Sequence, residues 1–290
     1  MASSDKKKVL ILGASGMLGN TALRFFAYRG IYEIIGSIRS AKVLSLLPER
    51  LRDRIVTGID VDDIDGLNRL FDATTPDVVI NCIGVVKQLA QADDPLVAIP
   101  INSVLPHRLA RLSQGVGARL VHLSTDCVFS GKKGMYREDD FADGDDLYGR
   151  SKYLGEVDYP TAITLRTSII GHELCGSLGL LNWFLSKNDW VNGYTRAVFS
   201  GFPAIEIARV IHDIVIPNPL LRGVYHLSAE PISKFDLLRL IADVYGKAIE
   251  IRPDDKVAVD RSLDSSRFRE ITGYAPPGWS DLVRVMHEFG

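Results

Sequence analysis

Residues 9–19 read Val-Leu-Ile-Leu-Gly-Ala-Ser-Gly-Met-Leu-Gly, an apolar run that passes straight into three glycines spaced three apart. No other stretch limits the possible folds so tightly. The run predicts a buried strand, and Leu18 to Tyr28 carries helical spacing behind it. In a strand–turn–helix unit each glycine has a task. Gly13 permits the tight turn, Gly16 lets the backbone approach a pyrophosphate, and Gly19 allows the helix to pack closely on the strand. The helix start then offers free N–H groups and a positive dipole end to a phosphate. A plain glycine-rich turn is the competing reading. The position of this turn, at the head of an alternating chain, favours a nucleotide cradle.

That alternation continues. Strands are expected at Glu33–Ile38, Ile55–Ile59, Asp77–Gly84, Arg119–Ser124 and Ala162–Leu165, with helices at Ile64–Phe71, Ile101–Gly115 and Leu147–Asp158. Runs apolar on both faces and separated by helices predict a doubly wound parallel sheet of Rossmann type, an α/β fold. The pattern changes after about residue 167. Helices are expected at Leu178–Ser186, Glu206–Ile216, Ser233–Tyr245 and Asp281–Phe289, a strand at Gly223–Leu227, and polar irregular chain over Arg252–Ser266. The division expected is a dinucleotide-binding domain over 1–166, joined by about 203–222, and a smaller interleaved substrate-binding region over 167–290.

Composition removes several function classes. A net charge of -2 and a pI near 6.3 give no basic balance for nucleic acid. The longest stretch without Asp, Glu, Lys or Arg, Val9 to Leu23, holds three glycines. It also falls short of the ~18 apolar residues of a membrane span. The polar start shows no signal-peptide core. Cys82, Cys127 and Cys175 lie far apart with no CxxC pair, against a disulfide framework or a structural zinc site. No metal is expected. These bounds predict a reduced, cytoplasmic enzyme.

The end of the second strand reads Gly36-Ser37-Ile38-Arg39-Ser40. It lacks the carboxylate that would hold a ribose 2′-hydroxyl, and Arg39 suits a 2′-phosphate. NADPH is the cofactor expected, with NADH as the alternative if Arg39 is only a solvated strand-end charge. The expected reaction centre is Tyr148-Gly-Arg-Ser-Lys152. Residues four apart share a helix face. A lysine ammonium there is expected to lower the tyrosine pKa and make it a proton donor near neutrality. The fifth strand ends in Ser124-Thr125-Asp126, where a hydroxyl reaches the same substrate oxygen.

With these pieces the chain resembles the extended short-chain dehydrogenase/reductase family, and within it the dTDP-4-dehydrorhamnose reductase group. The matching segments are LGASGMLG (12–19), NCIG (81–84), HLSTDCVFSG (122–131), YREDD (136–140), LYGRSKYLGE (147–156), LRTSIIG (165–171) and GVYHLS (223–228). The resemblance implies Tyr148 as proton donor, Lys152 as its tuner and ribose ligand, and Thr125 as a hydrogen bond to the substrate carbonyl. It implies Gly16, Met17 and Leu18 at the pyrophosphate, Asp60 and Val61 at adenine, and Ile83, Gly84 and Val85 along the cofactor. The implied reaction is hydride transfer to the 4-keto group of a nucleotide-linked 4-keto-6-deoxyhexose in deoxysugar and polysaccharide synthesis. The implied partner is that sugar nucleotide, with a homodimer as one assembly.

One position departs from the family pattern. STDYVF is usual, and here the segment reads STDCVF, with Cys127. Cysteine at this place resembles that of GDP-fucose synthase and of plant bifunctional epimerase/reductases, where it does acid/base work on sugar carbons. His172 is then its candidate partner. The alternative is an inert thiol. A second alternative for the whole chain is a non-catalytic cofactor-binding regulatory subunit, resembling the β subunit of methionine adenosyltransferase. Weaker candidates are an aromatic cluster (Trp183, Phe184, Trp190, Tyr194), three arginines for a diphosphate (Arg196, Arg252, Arg261), and an acidic loop at 139–146, read as solvated. His122 is expected to be a satisfied core histidine.

Overall fold

A computed structural model describes residues 6–87 and 89–290. The first strand, Lys8–Leu12 (β1), enters the glycine turn and continues as helix Met17–Arg29 (α1). Gly30 ends that helix in a left-handed conformation (φ 65°), its N–H closing on the Phe26 carbonyl. Glu33–Ile38 (β2), Glu49–Arg52 (α2), Ile55–Thr57 (β3), Ile64–Thr74 (α3) and Val78–Asn81 (β4) follow. Then come Pro95–Ala98 (α4) and Leu105–Gly115 (α5), joined by a π-helical stretch over Ile99–Val104. Arg119–Ser124 (β5), Leu147–Leu154 (α6) and Ala162–Arg166 (β6) complete the first half.

The second half holds Ile169–Ile170 (β7), Leu180–Leu185 (α7), Trp190–Phe199 (β8), Phe202–Pro203 (β9) and Ala204–Val210 (α8). It continues through Gly223–His226 (β10), Ile232–Ser233 (β11), Lys234–Tyr245 (α9) and Glu250–Asp260 (β12). Ser266–Thr272 (α10) and Trp279–Phe289 (α11) close the chain. Ser233 caps α9 as its sequence predicts, its hydroxyl accepting the Asp236 N–H at 3.0 Å.

Seven strands form one sheet in the order β10-β6-β5-β4-β1-β2-β3, every neighbouring pair parallel. This is the doubly wound sheet that the sequence predicts. Alternate residues of β1 feed opposite layers. Val9 and Ile11 join the core formed with α1 and α8, whereas Leu10 and Leu12 join the core formed with α3 and α5. Both faces are covered, so each strand reads as nearly continuous apolar residues. Phe26 and Phe71 are fully buried on the two sides, and each stabilises the layers by roughly 1.5–3 kcal/mol. A separate apolar cluster unites α7, α9 and α11 with β8.

Three elements differ from the sequence expectation. Arg252–Ser266 is not irregular: most of it lies in β12, which pairs parallel with β8, with a register shift between Asp254 and Ala258. It is an edge strand, largely exposed and carrying Pro253, so it lacks the alternation that marks a half-buried strand. The second is β8 itself, which begins at Trp190 inside the supposed aromatic cluster. Third, the helix expected from Ile101 starts at Pro95, where the Asp94 side chain accepts the Leu96 N–H at 2.9 Å.

Candidate functional site

In an open parallel sheet the strand order reverses at one place, and a crevice opens at the strands' carboxyl ends. Here that place lies between β1 and β4. The turn after β1 is built as the glycines require. Gly13 sits at φ 80°, and a Cβ there would stand 2.9 Å from Ile83 Cγ1 and 3.3 Å from the Cys82 carbonyl. A Cβ on Gly19 would overlap the Gly13 carbonyl oxygen, so only glycine lets α1 pack this closely. Gly16 precedes α1 without any side-chain cap, and a Cβ there would meet only Gly13 O, at 3.5 Å. The N–H groups of the first turn therefore open onto free space, as a phosphate requires.

That space is a cavity of about 330 Å³. Eight of the predicted cofactor residues line it: Gly13, Gly16, Arg39, Asp60, Val61, Ile83, Gly84 and Val85. Ser15 and Ser37 add hydroxyls, and Arg39 stands exposed at the end of β2. An open glycine cradle, hydroxyl donors and a guanidinium with no ion-pair partner among the described residues fit a dinucleotide, and Arg39 fits its 2′-phosphate. Met17, Leu18, Tyr148 and Lys152, also predicted to bind cofactor, do not line the cavity. Leu18 is buried in the core, and Met17 packs towards Gly171 and Gly179. Their position in the first helical turn leaves only backbone for a ligand.

Tyr148 and Lys152 lie on α6, whose N-terminus is capped by Asp146 through the Gly149 N–H at 2.7 Å. Asp146 also pairs with Lys87, which ties the chain beyond the cavity wall to this helix. Thr125 follows β5 and is buried, its hydroxyl accepting the Cys127 N–H and donating to Asp126, both at 3.1 Å. The helix sits so low on this turn that a Cβ on Gly149 would overlap the Cys127 carbonyl oxygen. This contact brings Thr125, Cys127 and Tyr148 together.

The electrostatics correct one expectation. Lys152 does not lower the tyrosine pKa here. Its ammonium is buried and donates to the Leu123 carbonyl at 2.6 Å. Burial first, and then the neighbouring Cys127, push the Tyr148 phenol well above its usual range, against an opposing pull from the Thr125 hydroxyl. Burial brings Lys152 itself down to about 8, opposed by the Glu156 carboxylate.

Cys127 and His172 do not form a pair. The thiol is pushed up to about 12 by burial and then by Asp126. His172 is held elsewhere, with Nε2 2.9 Å from the Tyr245 hydroxyl and Gly290 packed against its ring. It follows β7, and that strand pairs with β9 and not with the central sheet whose inner strand β5 leads to Cys127. His122 is buried and only half satisfied: Nδ1 lies 3.1 Å from Asn81 Nδ2, and Nε2 has no partner among the described residues.

Of the weaker candidates, Arg261 donates to the Phe129 carbonyl at 2.7 Å and lies close enough to Asp126 and Cys127 to influence both. Arg252 stacks over Trp190 and pairs with Glu250, away from the reaction centre. The acidic loop is largely bonded and not simply solvated. Asp140 pairs with Lys133, Asp143 accepts the Ser130 N–H and hydroxyl, and Asp146 caps α6. Among the described residues no cluster of three or more metal-ligating side chains occurs, and no helix is long and apolar enough to cross a membrane.

Sequence reasoning missed Asn102. It is buried in the π-helical stretch, where Oδ1 accepts the Val85 N–H at 2.9 Å and Nδ2 reaches Val85 O at 3.1 Å and Ser151 Oγ at 3.2 Å. It thereby couples the cavity wall to α6. A π turn leaves no periodic signal, and the only available hint was a polar residue in an otherwise apolar stretch. Glu156 and Arg166 were also missed.

A dinucleotide cradle at the sheet's switch point, with a Tyr–Lys helix and a strand-end hydroxyl beside it, defines a reductase of the doubly wound class. The chain belongs to the RmlD substrate binding domain family, whose model matches residues 7–279. Its relatives include the spore coat polysaccharide biosynthesis protein SpsK of Bacillus subtilis, 34% identical over 96% of this chain and 95% of that protein. The dTDP-4-dehydrorhamnose reductase of Aggregatibacter actinomycetemcomitans is 24% identical over 98% of this chain and 93% of its own. The methionine adenosyltransferase 2 subunit beta of Xenopus laevis is 26% identical over 94% and 79%. Among solved structures, dTDP-4-dehydrorhamnose reductase from Bacillus anthracis in complex with NADP superposes with a TM-score of 0.80 at 21% identity, covering 99% of each chain.

Proposed function

We propose that this protein is an NADPH-dependent 4-reductase of a nucleotide-diphospho-4-keto-6-deoxyhexose, acting in the cytoplasm in deoxysugar synthesis for a polysaccharide. The observation that carries this reading is the meeting of Thr125, Cys127 and Tyr148 beside the cavity that Gly13, Gly16 and Arg39 line. The fold and the family make the chain an NAD(P)H-dependent oxidoreductase. The similarity to a dTDP-4-dehydrorhamnose reductase and to a spore coat polysaccharide biosynthesis protein supports the sugar-nucleotide substrate.

Bound NADPH supplies the hydride. The chain's own residues do the rest. Gly13 and Gly16 would hold the pyrophosphate, and Arg39 would take the 2′-phosphate. Thr125 directs the substrate carbonyl towards the Tyr148 hydroxyl. Tyr148 stays protonated in its buried place and gives its proton to the developing alkoxide. Lys152 keeps a positive charge under the site. Residues 1–166, with the returning 203–222, would bind the cofactor, and 167–290 would choose the sugar. The α8 helix supports this division, since its side chains join the same core as α1. Exposed Leu96, Ile99, Tyr153 and Leu154 on α4, the π stretch and α6 support a homodimer.

The test is NADPH oxidation at 340 nm against dTDP-, UDP- and GDP-4-keto-6-deoxyhexoses, with and without a separate 3,5-epimerase. Turnover that needs the epimerase is the expected result, and failure on every sugar overturns the reading. Epimerase chemistry at Cys127 is not favoured, because a thiol held near 12 and without a histidine partner is a poor base at neutral pH. The regulatory-subunit reading requires a co-purifying partner and no turnover.

A further inference from the structure

Behind the reaction site lies a buried ion pair that the chemistry above does not use. Glu156 follows α6 one turn beyond Lys152, and Arg166 ends β6. Their side chains are 6% and 5% exposed. Arg166 Nε and Nη2 reach Glu156 Oε1 and Oε2 at 2.8 and 2.7 Å, a two-point pairing. Arg166 Nη1 also lies 3.2 Å from His226 Nε2 and 3.4 Å from the Glu138 carbonyl. The guanidinium rests over the Phe129 ring at 5.3 Å. A buried pair of this kind gives little net stability compared with apolar residues of the same size, so its place in the fold needs another reason.

The reason lies in what Glu156 touches. Its Oε1 also accepts the Ser124 hydroxyl at 2.7 Å. Ser124 directly precedes Thr125, and Leu123 on its other side accepts the Lys152 ammonium. Three consecutive residues at the end of β5 are thus tied to α6 or its extension, or turned into the site. Among the described residues, Glu156 is the carboxylate that acts on Lys152. The other titratable groups around the ammonium are Tyr148 on the same helix and His122 on β5. His122 is kept neutral by its own burial and by Lys152, and His107 of α5 stands beyond it.

We propose that Glu156, locked by Arg166, is a positioning residue that fixes the Ser124–Thr125 strand end and sets a carboxylate one turn beyond the Lys152 ammonium. The inference rests on the catalytic reading of Thr125, Tyr148 and Lys152. Two links are separable. Glu156→Gln removes the charge and keeps a hydrogen-bond acceptor for Ser124. Ser124→Ala keeps the charge and removes the tie to the strand end.

The sign follows from the two influences on Lys152. Burial lowers its pKa and the carboxylate raises it, so losing the carboxylate leaves burial unopposed. The ammonium then deprotonates at lower pH. The measurements are pH profiles of kcat/KM and, independent of turnover, the 13Cε resonance of Lys152 in 13C-lysine-labelled protein, assigned with Lys152→Arg. In Glu156→Gln both the alkaline limb and the Lys152 titration are expected to move down by about one pH unit. In Ser124→Ala kcat is expected to fall about tenfold with the limb unmoved.

Should Glu156→Gln fail to fold with Arg166 left unpaired, Glu156→Gln/Arg166→Gln removes both charges and is expected to show the same downward movement. An unmoved Lys152 resonance in the folded variant overturns the proposal, whatever the rate. Absence of wild-type turnover on any keto-sugar overturns the reductase reading instead and leaves the Lys152 titration to be judged on its own.

Discussion

Gly149 is the narrowest point between the two halves of the reaction centre. Its backbone is ordinary α-helix, so replacing it with alanine adds no conformational strain, and any effect is steric. The added Cβ would overlap the Cys127 carbonyl oxygen and come within 3.1 Å of its carbon. Carbon atoms and their neighbours settle near 3.5 Å, so relief takes a retreat of α6 by roughly 1 Å. Tyr148 is the adjacent residue and would move with the helix, whereas Thr125 is anchored on the other side of the contact by the Cys127 N–H. A misplacement of that size costs ~100-fold in rate, which corresponds to about 2.7 kcal/mol of barrier. The overpacking itself should destabilise the fold by ~1–3 kcal/mol. NADPH affinity should change little, because Gly149 does not line the cofactor cavity. Stopped-flow or steady-state oxidation at 340 nm gives kcat, nucleotide fluorescence gives Kd, and a thermal melt gives the stability change. A Gly149→Ala protein with wild-type kcat would refute the reasoning, since the close approach would then not hold the two halves in register.

Other substitutions probe single roles. Tyr148→Phe should lower kcat by ~100- to 10,000-fold with cofactor Kd nearly unchanged; retained turnover would remove the proton-donor assignment. Activity of the wild type should decline as pH rises through about 8, because Lys152 loses its proton there. A kcat/KM profile flat to pH 9.5 would contradict that. Arg39→Ala should raise Kd for NADPH by ~10- to 100-fold while NADH binding barely changes, which isothermal titration would show. Arg166→Met strands the buried Glu156 carboxylate and should cost ~3–5 kcal/mol in denaturant unfolding; a loss below about 1 kcal/mol would mean that water reaches the pair.

The first half of the chain is legible because its physics is local. The β1 run, the three glycines and the helical spacing of α1 lie within one short stretch, and each constrains the next. The wall of the cavity proposed for the cofactor was readable for the same reason: strand ends at a switch point are sequence landmarks. The tertiary features were less so. The edge strand β12 hides because its exposed, charged residues and Pro253 carry no alternation, and its pairing depends on a partner far away in sequence. Asn102 is invisible because its role needs Val85 and Ser151 to meet in space. The protonation of Tyr148 was misjudged from spacing alone. Four residues on a helix put Lys152 and Tyr148 on one face, but the Leu123 carbonyl captured the ammonium, and burial then governed the phenol. His172 failed as a partner of Cys127 because a position after a strand says nothing about which sheet the following segment joins.

The return of the chain to its first sheet bears on how the protein is made. β10 pairs with β6 only after the intervening β7, β8, β9 and α8 have left and come back, and α8 must dock on α1 from more than half the chain length away. While a ribosome is still adding residues before Gly223, the outer edge of β6 stands unpaired and the α1 side of the core lies open to water. Such an intermediate closes long loops late, which slows folding, and its bare edge and apolar layer invite association with other nascent chains. Truncation after Ile101 but before β10 would therefore release an incomplete sheet and not a smaller stable protein, even though every glycine and side chain of the proposed nucleotide cradle had already been synthesised.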